Sequence, residues 1–226
     1  MHRWYDRQPR LLGANYARAT AINQMEMWQA ETFDPVTIDK ELGWAEQLHM
    51  NTMRAFQDDM LWEQDLAGFK KRIDTFLTIA AKYQIRPVFV LFDSCWDPNR
   101  SSVRSIDQSP ASNTGGYRAR ARRADTAHYG KLRSYVEEIV GIFANDKRIL
   151  AWDVWNDSNN GGGGGGSCPE TPNKTALVPG LLGQVFDWAQ AKNPIQLLTS
   201  GVWTGDHWDR PTRWMRSRRS SSRVRT

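Results

Sequence analysis

Cysteine is scarce in this 226-residue chain. Cys95 and Cys168 are too few for a disulfide framework, and they are read as two unrelated thiols. Long hydrophobic runs are missing too: no segment reaches the roughly 18 consecutive apolar residues that a membrane-spanning helix needs. The opening Met1-His-Arg-Trp-Tyr-Asp6 lacks the apolar stretch of a signal peptide, so it gives no address, and localisation stays unassigned. Histidine is rare, and His49, His128 and His207 show no metal-ligand spacing, so neither a metal nor a cofactor is expected. The six glycines Gly161–Gly166 lack the spacing of a phosphate-binding loop and are read as a flexible linker.

Acidic residues are absent from one part of the chain, and this explains a misleading net charge of +5. Arg210 to Thr226 holds seven arginines and no acid, while Arg100 to Ser134 holds eight Lys/Arg and two Asp. Without these segments the chain has 15 basic and 23 acidic residues. The body is therefore acidic and carries two basic inserts. Arg100–Arg123 lacks periodicity, and a single-sign, low-hydrophobicity run such as Arg210–Thr226 is expected to be disordered.

The remaining sequence alternates strand and helix patterns. Leu11–Tyr16 is a strand signal ending in polar groups. Asp34-Pro35 and Thr37 then open a helix with Ile38, Leu42, Ala45 and Leu48 on one face. Asn51–Phe56 is a second strand, followed by a helix carrying Leu66, Phe69, Ile73, Phe76, Leu77 and Ala80. Ile85–Phe92 is a third strand, nearly continuous in apolar residues as a strand covered on both faces would be. A helix from about Ala127 follows, with Leu132, Tyr135, Val136, Ile139, Val140 and Phe143 inward. Ile149–Trp155 is strand four, Leu177–Phe186 marks another helix, and Gln196–Trp203 is strand five. This alternation predicts an α/β fold with a parallel sheet, a partial (β/α)8 barrel of about five visible units. Such an open barrel leaves two unpaired edges, which predicts a tendency to aggregate.

The segment Ile149-Leu-Ala-Trp-Asp-Val-Trp-Asn-Asp157 carries the most chemistry. An apolar strand opens into a loop through Asp153, Trp155, Asn156 and Asp157. In a parallel barrel this is the mouth, where functional side chains from several strand ends converge. A carboxylate next to an amide and an indole suits sugar chemistry: an acid for a glycosidic oxygen, an amide for a hydroxyl, a ring for stacking. Asp153 lies on the same side of the pleat and is read as a supporting group. Asp93 and Trp96 at the end of strand three, with Asn15, Trp28, Trp155 and Trp203 near other strand ends, are candidate substrate contacts. Trp44, Trp152 and Trp188 are expected in the core.

In combination, Gly13-Ala-Asn-Tyr16, Ala21-Ile-Asn-Gln-Met-Glu-Met-Trp28, Leu42-Gly-Trp-Ala-Glu46, Asn51-Thr-Met-Arg54, Val90-Leu-Phe-Asp93 and Ala151-Trp-Asp-Val-Trp-Asn156 resemble glycoside hydrolase clan A. The nearest likeness is to family 5-like bacterial cellulases and β-1,4-xylanase- or mannanase-like barrels. It covers roughly residues 4–99, 126–160 and 172–206. The resemblance implies a (β/α)8 barrel and retaining hydrolysis of β-linked polysaccharide or oligosaccharide, in enzymes that are often exported. It also implies that Arg54 is the arginine supporting the nucleophile's carboxylate. Asn156 would hold the sugar 2-hydroxyl, and Asp157 would stand at the acid/base position.

The chain departs from that pattern in two ways. The family motif Asn-Glu-Pro is here Asn156-Asp157-Ser158, which withdraws the acid by one methylene, about 1 Å; displacements of that size can cost about 10²-fold in rate. No counterpart of the nucleophilic glutamate at the end of strand seven is found, so hydrolysis is expected to be impaired. The likeness breaks at the basic segments and resumes near Tyr129, as a GC-rich gene partly read out of frame would produce. The expected organisation is a partial barrel domain over 1–209, with an irregular insert at 100–125 and a Gly-rich loop at 158–171. A basic tail follows at 210–226. Two alternatives remain: a non-catalytic carbohydrate-binding remnant, and a basic nucleic-acid-binding protein using Arg118–Arg123 and Arg210–Arg225. The expected partner is a β-linked saccharide, with neither nucleic acid nor membrane.

Overall fold

A computed structural model describes residues 4, 6–21, 23–93, 126–158 and 174–201. Both cysteines, Trp96, Trp203, His207, the hexaglycine run and both arginine-rich clusters lie outside the described residues. In chain order the elements are β1 (Gly13–Tyr16), α1 (Gln24–Trp28), α2 (Pro35–Gln47), β2 (Thr52–Phe56), α3 (Asp59–Gln64), α4 (Leu66–Lys82) and β3 (Val88–Val90). After them come α5 (Tyr129–Ile142), β4 (Ala151–Asp153), α6 (Lys174–Gln190) and β5 (Leu197–Thr199). The strands form one sheet in the order β1-β2-β3-β4-β5. Every neighbouring pair is parallel. This is the α/β arrangement of the first five units of a (β/α) barrel, as the alternating pattern predicts.

Local chemistry fixes the helix starts. Asp34 accepts hydrogen bonds from the Val36 and Thr37 amides, with Pro35 in the first turn. Asp58 caps α3, and Asp65 caps α4 through the Gly68 amide. Two helix ends close without glycine. His49 and Gln84 take φ of 60° and 58°, and the amides that follow them bond back to the Ala45 and Ala80 carbonyls. The short helices α1 and α3 were not expected from the sequence, because five or six residues carry too little periodicity to register.

One face of the sheet is closed by helices. Trp28, Phe69, Phe76, Phe89 and Trp152 are fully buried. Trp28 meets Phe76 at 5.3 Å and Phe89 at 6.2 Å, and Phe89 continues to Trp152 at 5.7 Å. The other face is half-open. Thr52, Arg54 and Phe56 on β2, Val88 on β3, and Leu197 and Thr199 on β5 are only partly buried. In a closed barrel these positions would fill the interior.

The tryptophan and helix-face assignments need correction. Trp28 is no stacking platform: it is fully buried and its indole N–H donates to the Phe56 carbonyl at 2.7 Å. Helix α1 turns it inward, although its place in the sequence lies close to the mouth. Trp155 is likewise 2% exposed and packs edge-on against Phe92 at 6.3 Å. Trp44, expected in the core, is 52% exposed with the Lys40 ammonium 4.9 Å from its ring centroid. Leu48 is exposed because the helix ends before it, which removes it from the face of Ile38, Leu42 and Ala45. Trp152 and Trp188 do lie in the core.

Two ties fix the loop that carries α1. Glu41 of α2 accepts from the Tyr16 hydroxyl and the Ala19 amide, each at 2.9 Å, so the end of β1 is held against α2. Burial and the Glu41 carboxylate push the Tyr16 hydroxyl far above its usual pKa and keep it a donor. Arg18, buried, donates to the Glu26 carbonyl at 2.8 Å and also to Thr32.

Candidate functional site

The site stands at the C-terminal ends of the strands. Backbone pairing continues beyond β4: the Val154 amide donates to the Thr199 carbonyl at 2.8 Å, and the Asn156 amide to the Phe92 carbonyl at 2.7 Å. Asp93 and Asn156 form an isolated parallel bridge. The peptide bearing Asn156 is therefore held by the sheet on both sides, although Asn156 lies in a loop. Asp157, next along, takes φ of 49°, a left-handed conformation that aspartate tolerates better than most residues.

Arg54 ends a chain of polar contacts across three strands. Its guanidinium pairs with the Asp153 carboxylate and donates to Asn156 Oδ1 at 2.9 Å. Asp153 Oδ1 also accepts from the Trp155 and Gly201 amides, each at 3.2 Å. Burial pushes the Asp153 pKa up, while the Arg54 charge is the main opposing influence. Asn156 Nδ2 donates to Asp93 Oδ1 at 2.9 Å, and Gln24 Nε2 donates to Asp93 Oδ2 at 3.0 Å. Asn15 lies opposite Arg54 in the β1–β2 register and shares its face of the sheet.

The carboxylates differ in what they can do. Asp93 and Asp153 are 6% and 3% exposed, and both oxygens of each accept hydrogen bonds. Asp157 is only half-buried. Burial raises its pKa first, and the negative charge of Asp93 adds to that; Arg54 and a hydrogen bond with Asn156 work the other way. A half-exposed carboxyl that holds its proton more firmly than usual is suited to donating it. Among the described residues, no carboxylate beside it stands exposed and uncommitted. No group of three or more His, Cys, Asp or Glu among the described residues could hold a metal ion. Likewise, no described helix is long and apolar enough to cross a membrane.

The structure brings Arg54, Asp93, Asn156 and Asp157 together, with Asn15 on the same face; Trp28 and Trp155 are buried away from solvent. Gln24 and Gly201 were missed by sequence reasoning. A Cβ on Gly201 would stand 3.1 Å from both Arg54 Nη2 and Asn156 Oδ1, so any side chain there would crowd the pair. Its signal was faint, one glycine after a strand. Gln24 gave none.

Solved structures share the fold that carries this site. A GH5_18 enzyme from Streptomyces cattleya, in complex with GlcNAc, superposes with a TM-score of 0.60 at 13% identity, over 87% of this chain and 45% of its own. An endo-1,4-β-mannanase from Rhizomucor miehei gives 0.58 at 15% identity, over 85% and 56%. The chain has the fold of part of a glycoside hydrolase barrel. An exo-β-1,4-mannosidase from Opitutaceae bacterium strain TAV5 matches with a TM-score of 0.57 at 19% identity, over 85% of this chain and 32% of that one. The chain thus spans about half the length of the first two. No protein-family model and no curated protein matches the sequence.

Proposed function

We propose that the chain carries a glycoside-hydrolase site for β-linked oligosaccharide or polysaccharide, impaired in hydrolysis. The observation that carries this reading is the pairing of Asn156 with Asp157 at the end of β4. The amide is held by hydrogen bonds to Arg54 and Asp93, and burial raises the pKa of the half-buried acid beside it. Asp157 takes the place of the general acid, giving its proton to the glycosidic oxygen, and Asn156 meets a sugar hydroxyl. Arg54 orients the amide and balances the local negative charge. Retaining hydrolysis needs a second carboxylate about 5–5.5 Å from the acid. Asp93 and Asp153 are committed to other partners, so among the described residues the first covalent step finds no nucleophile. The fold's neighbours support a β-linked substrate, since they include a mannanase, a mannosidase and a GlcNAc complex. The barrel domain is taken as 1–209, with inserts at 100–125 and 158–171 and a basic tail at 210–226. The nucleic-acid reading rests on arginines outside the described residues and is not pursued.

Isothermal titration calorimetry with β-1,4-mannotriose and cellotriose, alongside a reducing-sugar assay, tests the proposal. Expected are binding, about tenfold weakening in Asn156→Ala from the loss of one hydrogen bond, and slow hydrolysis or none. Absence of any heat at millimolar saccharide sinks it. Binding with no turnover at all favours a purely carbohydrate-binding role.

A further inference from the structure

Asp93 was expected to touch substrate, but its surroundings give it a different task. It is 6% exposed, and both its oxygens accept side-chain donors, Gln24 Nε2 at 3.0 Å and Asn156 Nδ2 at 2.9 Å. Across the amide of Asn156, Oδ1 accepts from Arg54 at 2.9 Å. An asparagine between an anionic acceptor and a cationic donor has one stable orientation. Rotated by half a turn, its oxygen would meet a carboxylate and its N–H groups a guanidinium, and both contacts would be repulsive. We propose that Asp93 and Gln24 form a positioning relay from α1 through β3, which fixes the Asn156 amide against Arg54 and so sets which of its atoms faces a bound sugar hydroxyl.

Three elements build the relay. Helix α1, capped by Asn23 and held through buried Arg18, delivers Gln24. The end of β3 delivers Asp93, and the extended pairing of β4 delivers Asn156 at a fixed height beside it. An apolar residue at position 93 would remove the charge-assisted bond to Asn156 Nδ2 and one of the two repulsions that oppose the rotated amide, leaving only that with Arg54. Loss of Gln24 would free Asp93 Oδ2 and let the carboxylate turn. The second effect is smaller, because the bond to Asn156 remains. The consequence for sugar binding rests on the function proposed above; the orientation of the amide does not.

Selective 15N-asparagine labelling of the full chain makes the Asn156 side-chain amide visible, its peak pair being the one lost in Asn156→Asp. Asp93→Leu is expected to move that pair upfield and to speed its exchange with water, and Gln24→Ala to do the same to a lesser degree. Mannotriose affinity should fall by about tenfold in Asp93→Leu, the effect of one charge-assisted hydrogen bond. An unchanged Asn156 amide pair in either folded variant overturns the relay, whatever the melting temperature does. If Asp93→Leu fails to fold, Gln24→Ala alone decides. If the amide responds but no saccharide binds the parent chain, the relay stands and the proposed function falls.

Discussion

Arg54→Leu tests the electrostatics of the site in one substitution. In the native chain the Arg54 guanidinium, whose side chain is 26% exposed, faces an Asp153 side chain that is 4% exposed. Removing one partner of such a pair leaves an uncompensated charge, which costs about 3–5 kcal/mol for fully buried pairs. Arg54 keeps some contact with water, so the expected loss lies near the lower end, about 3 kcal/mol at pH 7. Leucine also removes the guanidinium carbon that lies 5.2 Å from the centre of the Phe56 ring, a cation–π contact of about 0.5–1 kcal/mol that is itself electrostatic. The loss is therefore mainly electrostatic and must depend on pH.

The direction follows from Asp153. Burial already raises its pKa, and Arg54 is the main restraint, so the substitution drives it higher. A carboxyl whose folded pKa exceeds its unfolded value keeps its proton longer in the folded state. Its contribution to stability therefore falls as pH rises from the unfolded value, about 4, through the folded one, then levels off. The deficit of Arg54→Leu is thus greatest at pH 7 and shrinks towards pH 4.5, by at most about 1.4 kcal/mol per pH unit. Urea unfolding followed by far-ultraviolet circular dichroism at both pH values measures it. Asp153→Asn in the same background should recover part of the loss at pH 7 and little at pH 4.5. A deficit below about 1 kcal/mol at pH 7, or one equal at the two pH values, refutes the reasoning.

Gln84 closes α4 in the left-handed region at φ 58°, which costs a residue with a Cβ about 1–2 kcal/mol; Gln84→Gly should gain about 1 kcal/mol after the extra chain entropy of glycine, read as a higher urea midpoint at unchanged slope. Trp44 on α2 and Leu48 just past its end are exposed, so Trp44→Lys with Leu48→Lys should reduce light scattering on concentration with less than about 0.5 kcal/mol change in stability. Phe89 is fully buried between Phe76 and Trp152, and Phe89→Ala should cost about 3–5 kcal/mol by chemical denaturation. Translating the coding DNA across residues 97–126 and beyond 207 in all three frames should restore acidic, periodic barrel sequence in an alternate frame; absence of such a frame would make both basic segments genuine.

The strands and long helices were legible because each carries one dominant physical signal. Val88-Phe89-Val90 is apolar throughout: Phe89 is buried on the helix-covered face, and Val88 and Val90 lie on the opposite face, partly and fully buried. In α4, Phe69, Ile73, Phe76, Leu77 and Ala80 recur at the helical period and all are buried. The errors share a different cause. Trp28 and Trp155 were placed by nearness in sequence to strand ends and Trp44 was assigned to the core, yet exposure depends on direction. The helical period already places Trp44 off the Ile38, Leu42, Ala45 face, so its exposure could have been read from the sequence. Trp28 could not, because the five-residue helix that turns it inward has no periodic signature.

The site divides along the same line. Asn156, Asp157 and Arg54 were visible because Arg54 lies within β2 and the other two just beyond β4, and a parallel sheet brings the C-terminal ends of its strands together whatever lies between them. Asp153, read as a supporting group, is buried and paired with Arg54, as a carboxylate inside an otherwise apolar strand must find a partner. Asp93 was visible as a residue but not as a role: it ends a strand like the others. Only the two donors that Gln24 and Asn156 bring to it show that its oxygens are already spent. Side-chain hydrogen bonds between residues 63 and 69 positions apart leave no trace in a single sequence, because neither partner is constrained by its neighbours in the chain. A site built from strand ends is thus readable as a set of residues, while its division into groups that meet substrate and groups that hold them needs the fold.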